Sequence, residues 1–337
     1  MKERVKDLAM RQGACAVGFT VAGEVDGEAQ ELYTRFIGEG RHGAMGYLAN
    51  HTDIRHDPRR LLETAEARSL IVCAFPYYTP DDTREGCVRF AAYARGSDYH
   101  TVLRERLGCV TDMLAQEGYS ARICIDSAPL RERYWAVRAG VGFIGLNSQL
   151  IVPGVGSYVF LATIVTDAVF EPDEPCRLGC GACGRCVAQC PGGAIGPEGS
   201  FDARRCLSYL TIEYRGELPE ELELGDCIYG CDICQQCCPH NRGAKTTGIE
   251  DFRPREAVVS LTRERILDMT RPEFGAVFAG SAVKRVRLEG LKRNARQGGN
   301  QRQAVGTRTK EGRFYFGDGE MGRGIGGSCL GGEIGAI

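Results

Sequence analysis

Residues 176–193 read CRLGCGACGRCVAQCPGG and place five cysteines within fifteen positions. Four of them have the spacing C-x2-C-x2-C-x3-C directly before Pro191, namely Cys180, Cys183, Cys186 and Cys190. In bacterial ferredoxins this spacing lets three close thiolates bind one 4Fe-4S cube, while the fourth cysteine reaches a second cube. A structural zinc site, the simplest alternative, needs two separated cysteine pairs instead. The run therefore favours an iron–sulfur cluster.

A second cysteine run, GCDICQQCCPHN, occupies residues 230–241. If the ferredoxin exchange of ligands operates, the first cube has four ligands: Cys180, Cys183, Cys186 and Cys238. The second cube then takes Cys190, Cys231, Cys234 and one further thiolate. Cys237 would preserve the regular spacing, whereas Cys206 would have to arrive from a distance. Spacing alone slightly favours Cys237.

Composition limits the class of protein. Seventeen cysteines, eleven of them between Cys176 and Cys238, occur in a chain of 337 residues. The N-terminus is charged and helix-patterned, without a signal-peptide pattern, which predicts a cytoplasmic protein. In that reducing compartment so many cysteines indicate metal ligation, because disulfides are rare there. No apolar run approaches the roughly 18 residues of a membrane span. A net charge of −2 argues against coating nucleic acid through overall charge, but allows a local basic patch.

The chain divides by pattern into four parts. Residues 1–170 alternate helix-like and strand-like stretches, which predicts an α/β or α+β domain around a mixed or parallel sheet. The proline- and acid-rich EPDEP at residues 171–175 marks the boundary to a ferredoxin-like two-cluster domain over 171–250. A helical segment, 251–295, follows, with helix-like stretches around residues 258–269 and 282–294. Residues 296–337 contain 13 glycines, and we expect this tail to be disordered.

Several motifs together resemble the epoxyqueuosine reductases, a family of cobalamin-dependent enzymes of tRNA modification. They are CLSYLTIE at 206–213, the run at 230–241, IDSAPLRERYWAVRAGVGFIGLNS at 125–148, YARGSDYH at 93–100, HGAMGYL at 42–48 and FAGSAVKRVRLEGLKRNA at 278–295. The resemblance extends over about residues 5–295 in one collinear order. It implies reduction of epoxyqueuosine to queuosine at the wobble position of tRNA anticodons. Electrons would pass from two 4Fe-4S clusters to cobalamin bound in the first domain.

The resemblance also implies which cysteine is the fourth ligand of the second cube, which spacing left open. It implies that the second cube binds Cys190, Cys206, Cys231 and Cys234, leaving Cys237 as a neighbour. Cys176 and Cys227 would then be spare. An unidentified electron donor and an epoxyqueuosine-containing tRNA are the implied partners, and the expected state is a monomer.

Asp126 ends the strand-like stretch ARICI, where a carboxylate could simply cap a turn. The resemblance implies instead that it is the acid of the reaction. A carboxylic acid near the opening epoxide can protonate the departing oxygen, an effect of roughly 10² to 10⁴ in rate. To be protonated near neutral pH it needs a raised pKa, which an apolar corrin face would provide.

Other residues are expected at the cofactor. Gly140, Gly142 and Gly145 match G-x-G-x-x-G, but a helix precedes them and a strand follows, the reverse of a dinucleotide-binding turn. The resemblance implies a loop close to the corrin, with Gly145, Asn147 and Ser148 as contacts. It further implies that Asp126 contacts the cofactor, together with three residues from other motifs: Arg55, Tyr93 and Ser208. The alternative for Arg55 is a solvated charge at a helix start. Asp98 and His100 are weaker candidates, since such residues often only cap helices.

A cluster of basic residues near the end of the recognisable pattern could bind tRNA phosphates: Lys284, Arg285, Arg287, Lys292 and Arg293. The alternative is a solvated helix face.

The sequence departs from the family pattern at Leu146, where a lysine is usual, and at His240, where an aromatic residue is common. Two other functions stay open: a related cobalamin and iron–sulfur reductase of the reductive dehalogenase type, and a ferredoxin-type electron carrier that binds no corrin. A zinc-dependent nucleic-acid-binding module is a third.

Overall fold

The computed structural model describes residues 1–81, 83–181, 183–220, 222 and 224–297. The predicted glycine-rich tail, beyond its first two residues, lies outside the described residues. In the first part of the chain the helices are α1 (Lys2–Arg11), α2 (Gly27–Gly38), α3 (Thr52–His56), α4 (Tyr99–Gln116) and α5 (Glu132–Arg138). The strands are β1 (Ala16–Val21), β2 (Ser69–Pro76), β3 (Arg89–Phe90), β4 (Ala121–Cys124), β5 (Phe143–Ile144), β6 (Leu150–Ile151) and β7 (Val159–Thr166).

The main sheet has the strand order β1-β2-β7-β4, and all three pairings are antiparallel. The expected mixed or parallel sheet was therefore wrong. Alternation of helices and strands predicts the layers but not the strand direction, because long connections can return the chain either way. The predicted combination of helices and strands in the first domain is confirmed, and its described sheet is antiparallel.

The central strand β2 explains how the sheet is covered on both faces. All eight of its residues are buried. Ile71, Cys73 and Phe75 point to the face covered by α1 and α4, whereas the intervening residues point to the face covered by α5. Because side chains alternate along a strand, a strand buried on both faces reads as a continuous apolar run. The sequence SLIVCAFP is such a run.

The cysteine-rich part contributes short elements: α6 (Arg185–Gln189), α7 (Leu207–Ile212), β8 (Cys227–Tyr229) and α8 (Ile233–Gln236). Strand β8 pairs in parallel with β3, so the cysteine-rich part is joined to the first part by backbone hydrogen bonds. Four helices follow: α9 (Glu256–Val259), α10 (Arg263–Asp268), α11 (Arg271–Val277) and α12 (Arg287–Gln297). Apolar residues of α10, α11 and α12 pack on β3 and β8 in one core cluster.

The helix-like stretches predicted around residues 258–269 and 282–294 are each broken in two. Thr262 caps α10 with its side chain and separates α10 from α9. A 3-10 helix over Ala282–Val286 precedes α12, and the break falls at Arg287, whose φ is 61° and ψ 166°. In the described part of the chain, no helix has the length and apolar character that crossing a membrane requires.

Candidate active site

A cavity of about 560 Å³ lies where the first part of the chain meets the cysteine-rich part. Its wall includes the start of α4, the turn after β4, the start of α5 and the loop between β5 and β6. The residues predicted to bind the cofactor that line this cavity are Arg55, Tyr93, Asp126, Asn147, Ser148 and Ser208. Gly145 instead lines a second, much smaller cavity, which Asn147 also borders.

The eight predicted cluster cysteines fall into two sets around these two cavities. The small cavity is lined by Cys180, Cys183, Cys186 and Cys238. The large cavity is lined by Cys190, Cys206, Cys231 and Cys234. Among the described residues, Cys237 lines neither cavity; its buried thiol donates to the Cys234 carbonyl oxygen at 3.6 Å. In the described residues, no three Cys, His, Asp or Glu side chains are arranged to hold a single metal ion.

A close backbone approach brings Cys206 to Cys190. A β-carbon added to Gly192 would lie 1.8 Å from the Arg205 carbonyl oxygen, so only glycine fits this position. The Arg205 Nε also donates to the Gly192 carbonyl oxygen at 3.0 Å. The Ala194 amide donates to the Cys190 sulfur at 3.2 Å. Two segments separated by fifteen residues are thereby held together beside the large cavity.

Asp126 occupies the turn after β4 in a left-handed conformation, with φ 55°. Its Oδ2 accepts a hydrogen bond from the Tyr99 hydroxyl at 2.8 Å, and the His100 Nε2 lies 3.6 Å from the same oxygen. The Asp126 amide donates to Glu132 Oε2 at 3.0 Å, which fastens the turn to the first residue of α5. The side chain is 61% accessible, because it faces the cavity.

A raised Asp126 pKa was expected from an apolar corrin face, whereas the protein groups around this carboxyl lower its pKa. The cavity walls shield the carboxyl from bulk water, which raises the pKa. The close approach of His100, the Tyr99 hydrogen bond and the charges of His100 and Arg133 outweigh this effect, so the pKa is lower than that of an ordinary aspartate. Burial and the charge of Asp126 raise the pKa of Glu132 to about 8. The acid predicted from sequence is thus ionised at neutral pH, while its neighbour Glu132 is largely protonated.

Three polar atoms at the cavity have no hydrogen-bond partner among the described residues, although they are buried: Glu132 Oε1, an Arg133 guanidinium nitrogen and the Ser148 hydroxyl. Buried polar atoms in folded proteins are normally hydrogen-bonded. Ser148 is 3% exposed and adopts a left-handed backbone, with φ 59°. These atoms are what the wall of a binding site for a large polar ligand would provide.

Arg55 is buried, so the alternative of a solvated charge was wrong. Its Nε donates to the Asn50 carbonyl oxygen at 3.1 Å, and a terminal nitrogen donates to the Tyr47 carbonyl oxygen at 3.0 Å. Tyr93 is held by its neighbours, with its hydroxyl 3.3 Å from that of Tyr229. Both residues support the wall of the cavity through these contacts.

The five basic residues have different surroundings. Arg285 pairs with Glu213 at 2.6 Å and lies over the Tyr47 ring. Arg293 donates to the carbonyl oxygens of Leu210, Tyr214 and Gly216 and is half-buried. The charges of these two arginines are therefore used in contacts within the protein.

Lys284 and Arg287 are exposed and Lys292 is half-exposed. None of these three forms an ion pair or side-chain hydrogen bond with any described residue. They are therefore the members of the basic cluster with charge available to a partner.

Sequence reasoning did not single out Tyr99, Glu132 or Arg133. All three lie within quoted motifs, and the sequence did contain a signal. The stretch RER at 131–133 places charges at the start of α5, two positions before the buried Trp135. Charges beside a buried helix need partners or a function. Here they surround the Asp126 turn.

The fold and the site define a class: a double-cluster iron–sulfur oxidoreductase, in which one cysteine set faces a ligand-sized cavity that also contains acid–base residues. Comparison with known proteins agrees with this class and narrows it. Residues 179–241 match the 4Fe-4S double cluster binding domain, and residues 55–127 match the family described as Epoxyqueuosine reductase QueG, DUF1730.

An epoxyqueuosine reductase of Leadbetterella byssophila is 36% identical over 296 residues, which cover 87% of this chain and 96% of that protein. The structure of an epoxyqueuosine reductase with an epoxyqueuosine-modified tRNA-Tyr stem loop is 31% identical, with a TM-score of 0.79 over 88% of this chain and 80% of that one. A Bacillus subtilis structure, with its catalytic aspartate loop swung out of the active site, gives the same values. The chain belongs to the epoxyqueuosine reductase family.

Proposed function

We propose that this oxidoreductase reduces epoxyqueuosine to queuosine at the wobble position of tRNA. The observation that carries the proposal is that a four-cysteine set and Asp126 face the same cavity, so that electrons and protons can meet at one substrate. Family membership supports the substrate, because a related enzyme has been solved with an epoxyqueuosine-modified stem loop. Its tRNA substrate implies a cytoplasmic location, and we expect a monomer served by a separate electron donor.

Two 4Fe-4S clusters would be held by the two cysteine sets. The first cube would bind Cys180, Cys183, Cys186 and Cys238, and the second would bind Cys190, Cys206, Cys231 and Cys234. The arrangement around two cavities supports Cys206 over Cys237, because Cys206 faces the large cavity with the other three thiols. Burial and neighbouring thiols raise the pKa of Cys234, so a metal must displace the proton on binding.

Cobalamin is proposed as the ligand of the large cavity because unpartnered buried polar atoms lie in its wall and could meet the polar groups of a corrin. When bound, it would collect single electrons for a two-electron reduction. Asn147, Ser148 and Ser208 would contact its polar groups, with Arg55 and Tyr93 supporting the wall. Gly145 would place the turn that carries Asn147 and Ser148, since a side chain there would meet Ile151 at 2.8 Å.

Asp126 would transfer protons to the substrate oxygen. Conversion of an epoxide to an alkene consumes two electrons and two protons and releases the oxygen as water. Both protons go to the same oxygen, first on the opened alkoxide and then on the resulting hydroxyl. Tyr99 fixes the direction of the carboxylate by its hydrogen bond, and Glu132 fixes the backbone of the turn. The tRNA backbone would be bound by the available cations Lys284, Arg287 and Lys292.

The test is conversion of epoxyqueuosine-containing tRNA by anaerobically reconstituted protein, with a chemical reductant and mass spectrometry of the released nucleosides. We expect queuosine from the parental protein and a rate lower by roughly 10² or more from Asp126→Asn, because an amide cannot donate the proton. Asparagine tolerates a left-handed backbone, so this variant keeps the turn and should retain parental iron and corrin. Parental turnover by Asp126→Asn would assign the acid to another group.

A further inference from the structure

The start of α4 places a histidine between two aspartates. Asp98 caps the helix, and its Oδ1 accepts from the His100 amide at 3.0 Å and also lies 2.8 Å from the His100 Nδ1. The second ring nitrogen, Nε2, lies 3.6 Å from Asp126 Oδ2, and a shift of roughly 0.5 Å would make this a hydrogen bond. Because a carboxylate holds Nδ1–H, the exchangeable position is Nε2, directed to Asp126.

The groups around His100 favour its protonated form. Asp98 faces it from the start of α4, and Asp126 faces it from the turn after β4. Glu132 and Arg133 at the start of α5 act on the same group of charges, and Arg104 acts on Asp98 from α4. Burial lowers the pKa of His100, but the nearby carboxylates of Asp126 and Asp98 outweigh it and raise the pKa to about 9.

Asp126 alone cannot supply the protons that the reduction needs. The reduction delivers two protons to one oxygen, whereas Asp126 is held as a carboxylate at neutral pH. A carboxylate passes on protons only if a neighbour supplies them. The Tyr99 hydroxyl lies closer to Asp126 Oδ2, but burial and the nearby carboxylates raise its pKa, so it keeps its proton. His100 is the next proton-bearing group at this oxygen, and 28% of its side chain is accessible, so it can recover a proton from solvent after each transfer.

We propose that Asp98, His100 and Asp126 form a proton relay, in which His100 stores the proton that Asp126 passes to the substrate oxygen. This rests on the proposed function. In the first transfer the Nε2–H bond of His100 breaks and an O–H bond forms on Asp126 Oδ2, leaving neutral imidazole. In the second, that O–H bond breaks and the proton joins the substrate oxygen, whose electrons come from the clusters. Solvent then protonates His100, and the cycle delivers the second proton.

His100 thus acts through Asp126 as a positioning residue that carries charge, and a test must separate this role from a structural one. We would measure single-turnover rates from pH 6 to 10 with excess reductant, on reconstituted protein with parental iron and corrin content. The parental rate should fall as the pH rises through about 9. His100→Gln should lower the rate at pH 7 by roughly tenfold to 10² and remove that alkaline fall.

Asp98→Asn should keep the imidazole but move the alkaline fall to lower pH by about one unit, because a stabilising negative charge is lost. Asp112→Asn, an exposed position farther along α4, is the matched control and should leave the profile unchanged. If the alkaline fall stays at its parental pH in both the His100→Gln and Asp98→Asn variants, the relay is refuted.

A second measurement does not depend on turnover. The chain has five histidines, so isotope-labelled imidazoles can be followed by NMR, and the His100 resonance is assigned by its absence in His100→Gln. The relay requires a midpoint near 9, lowered by either Asp98→Asn or Asp126→Asn. An ordinary midpoint near 6.5, unchanged by these variants, would overturn the relay. Absence of queuosine at every pH, with a midpoint near 9, would reject the proposed function and not the relay geometry.

Discussion

Gly192→Ala tests whether Cys190 and Cys206 bind the same cluster. The new methyl carbon would lie 1.8 Å from the Arg205 carbonyl oxygen, whereas real contacts of this kind begin near 3.0 Å. Backbone on one side must therefore move by at least about 1.2 Å. The carbonyl of Arg205 is bonded to Cys206, and Gly192 lies two residues after Cys190. A metal–ligand distance tolerates only roughly 0.2 Å, so the two thiols would no longer fit one cube.

The measurement is iron per chain after anaerobic reconstitution, with the visible and electron paramagnetic resonance spectra of the reduced protein. We expect about eight irons in the parental protein and about four in Gly192→Ala, because the other cysteine set surrounds a separate cavity. Gly243→Ala is the matched control: it lies in the same cysteine-rich part, its φ is not positive, and an added methyl group meets open space. Eight irons in Gly192→Ala, or loss of both cubes, would refute the reasoning.

Two further predictions concern the cluster ligands and the basic residues. Cys206→Ala should reduce the iron content to about four per chain, whereas Cys237→Ala should keep about eight; the opposite result would restore the regular ferredoxin spacing. Replacing Lys284, Arg287 and Lys292 together by alanine should weaken binding of tRNA at moderate salt, measured by fluorescence anisotropy. Each lost phosphate contact should flatten the slope of log affinity against log salt by roughly 0.7 to 0.9, and an unaltered slope would return these residues to a solvated surface.

Much of the fold could be predicted because its elements are strongly patterned. The amphipathic stretch at 101–118 forms most of α4, and the apolar run at 69–78 forms the buried strand β2. Strand direction could not be predicted, since it depends on pairing between residues far apart, such as Ile71 with Phe19 and with Ile164. The helix breaks near Thr262 and Arg287 were also missed, because capping and tertiary contacts override the periodicity of a short segment.

The cysteine sets show where local spacing is sufficient and where it fails. Three ligands of the first set lie within seven residues, and the run itself predicts them. Cys206 lies sixteen residues from the nearest proposed partner, and spacing pointed to Cys237 instead. What brings Cys206 to the large cavity is the contact of Gly192 with the Arg205 backbone. The sequence does contain a glycine directly after Cys-Pro, which allows a close backbone contact. Which segment makes that contact cannot be read from the sequence.

The direction of the Asp126 pKa shift likewise depends on residues that are distant in the sequence. A raised pKa was expected from an apolar corrin face, and removing a carboxyl group from water does raise its pKa. The residues that reverse the effect, Tyr99 and His100, precede Asp126 by more than twenty-five positions and reach it because α4 begins beside the end of β4. A carboxylate held ionised between a protonated imidazole and a protonated Glu132 is a better relay than an isolated acid, since it can accept and release a proton at nearly constant site charge. The chemistry of the acid is therefore a property of the packed cluster, and it cannot be assigned to Asp126 alone.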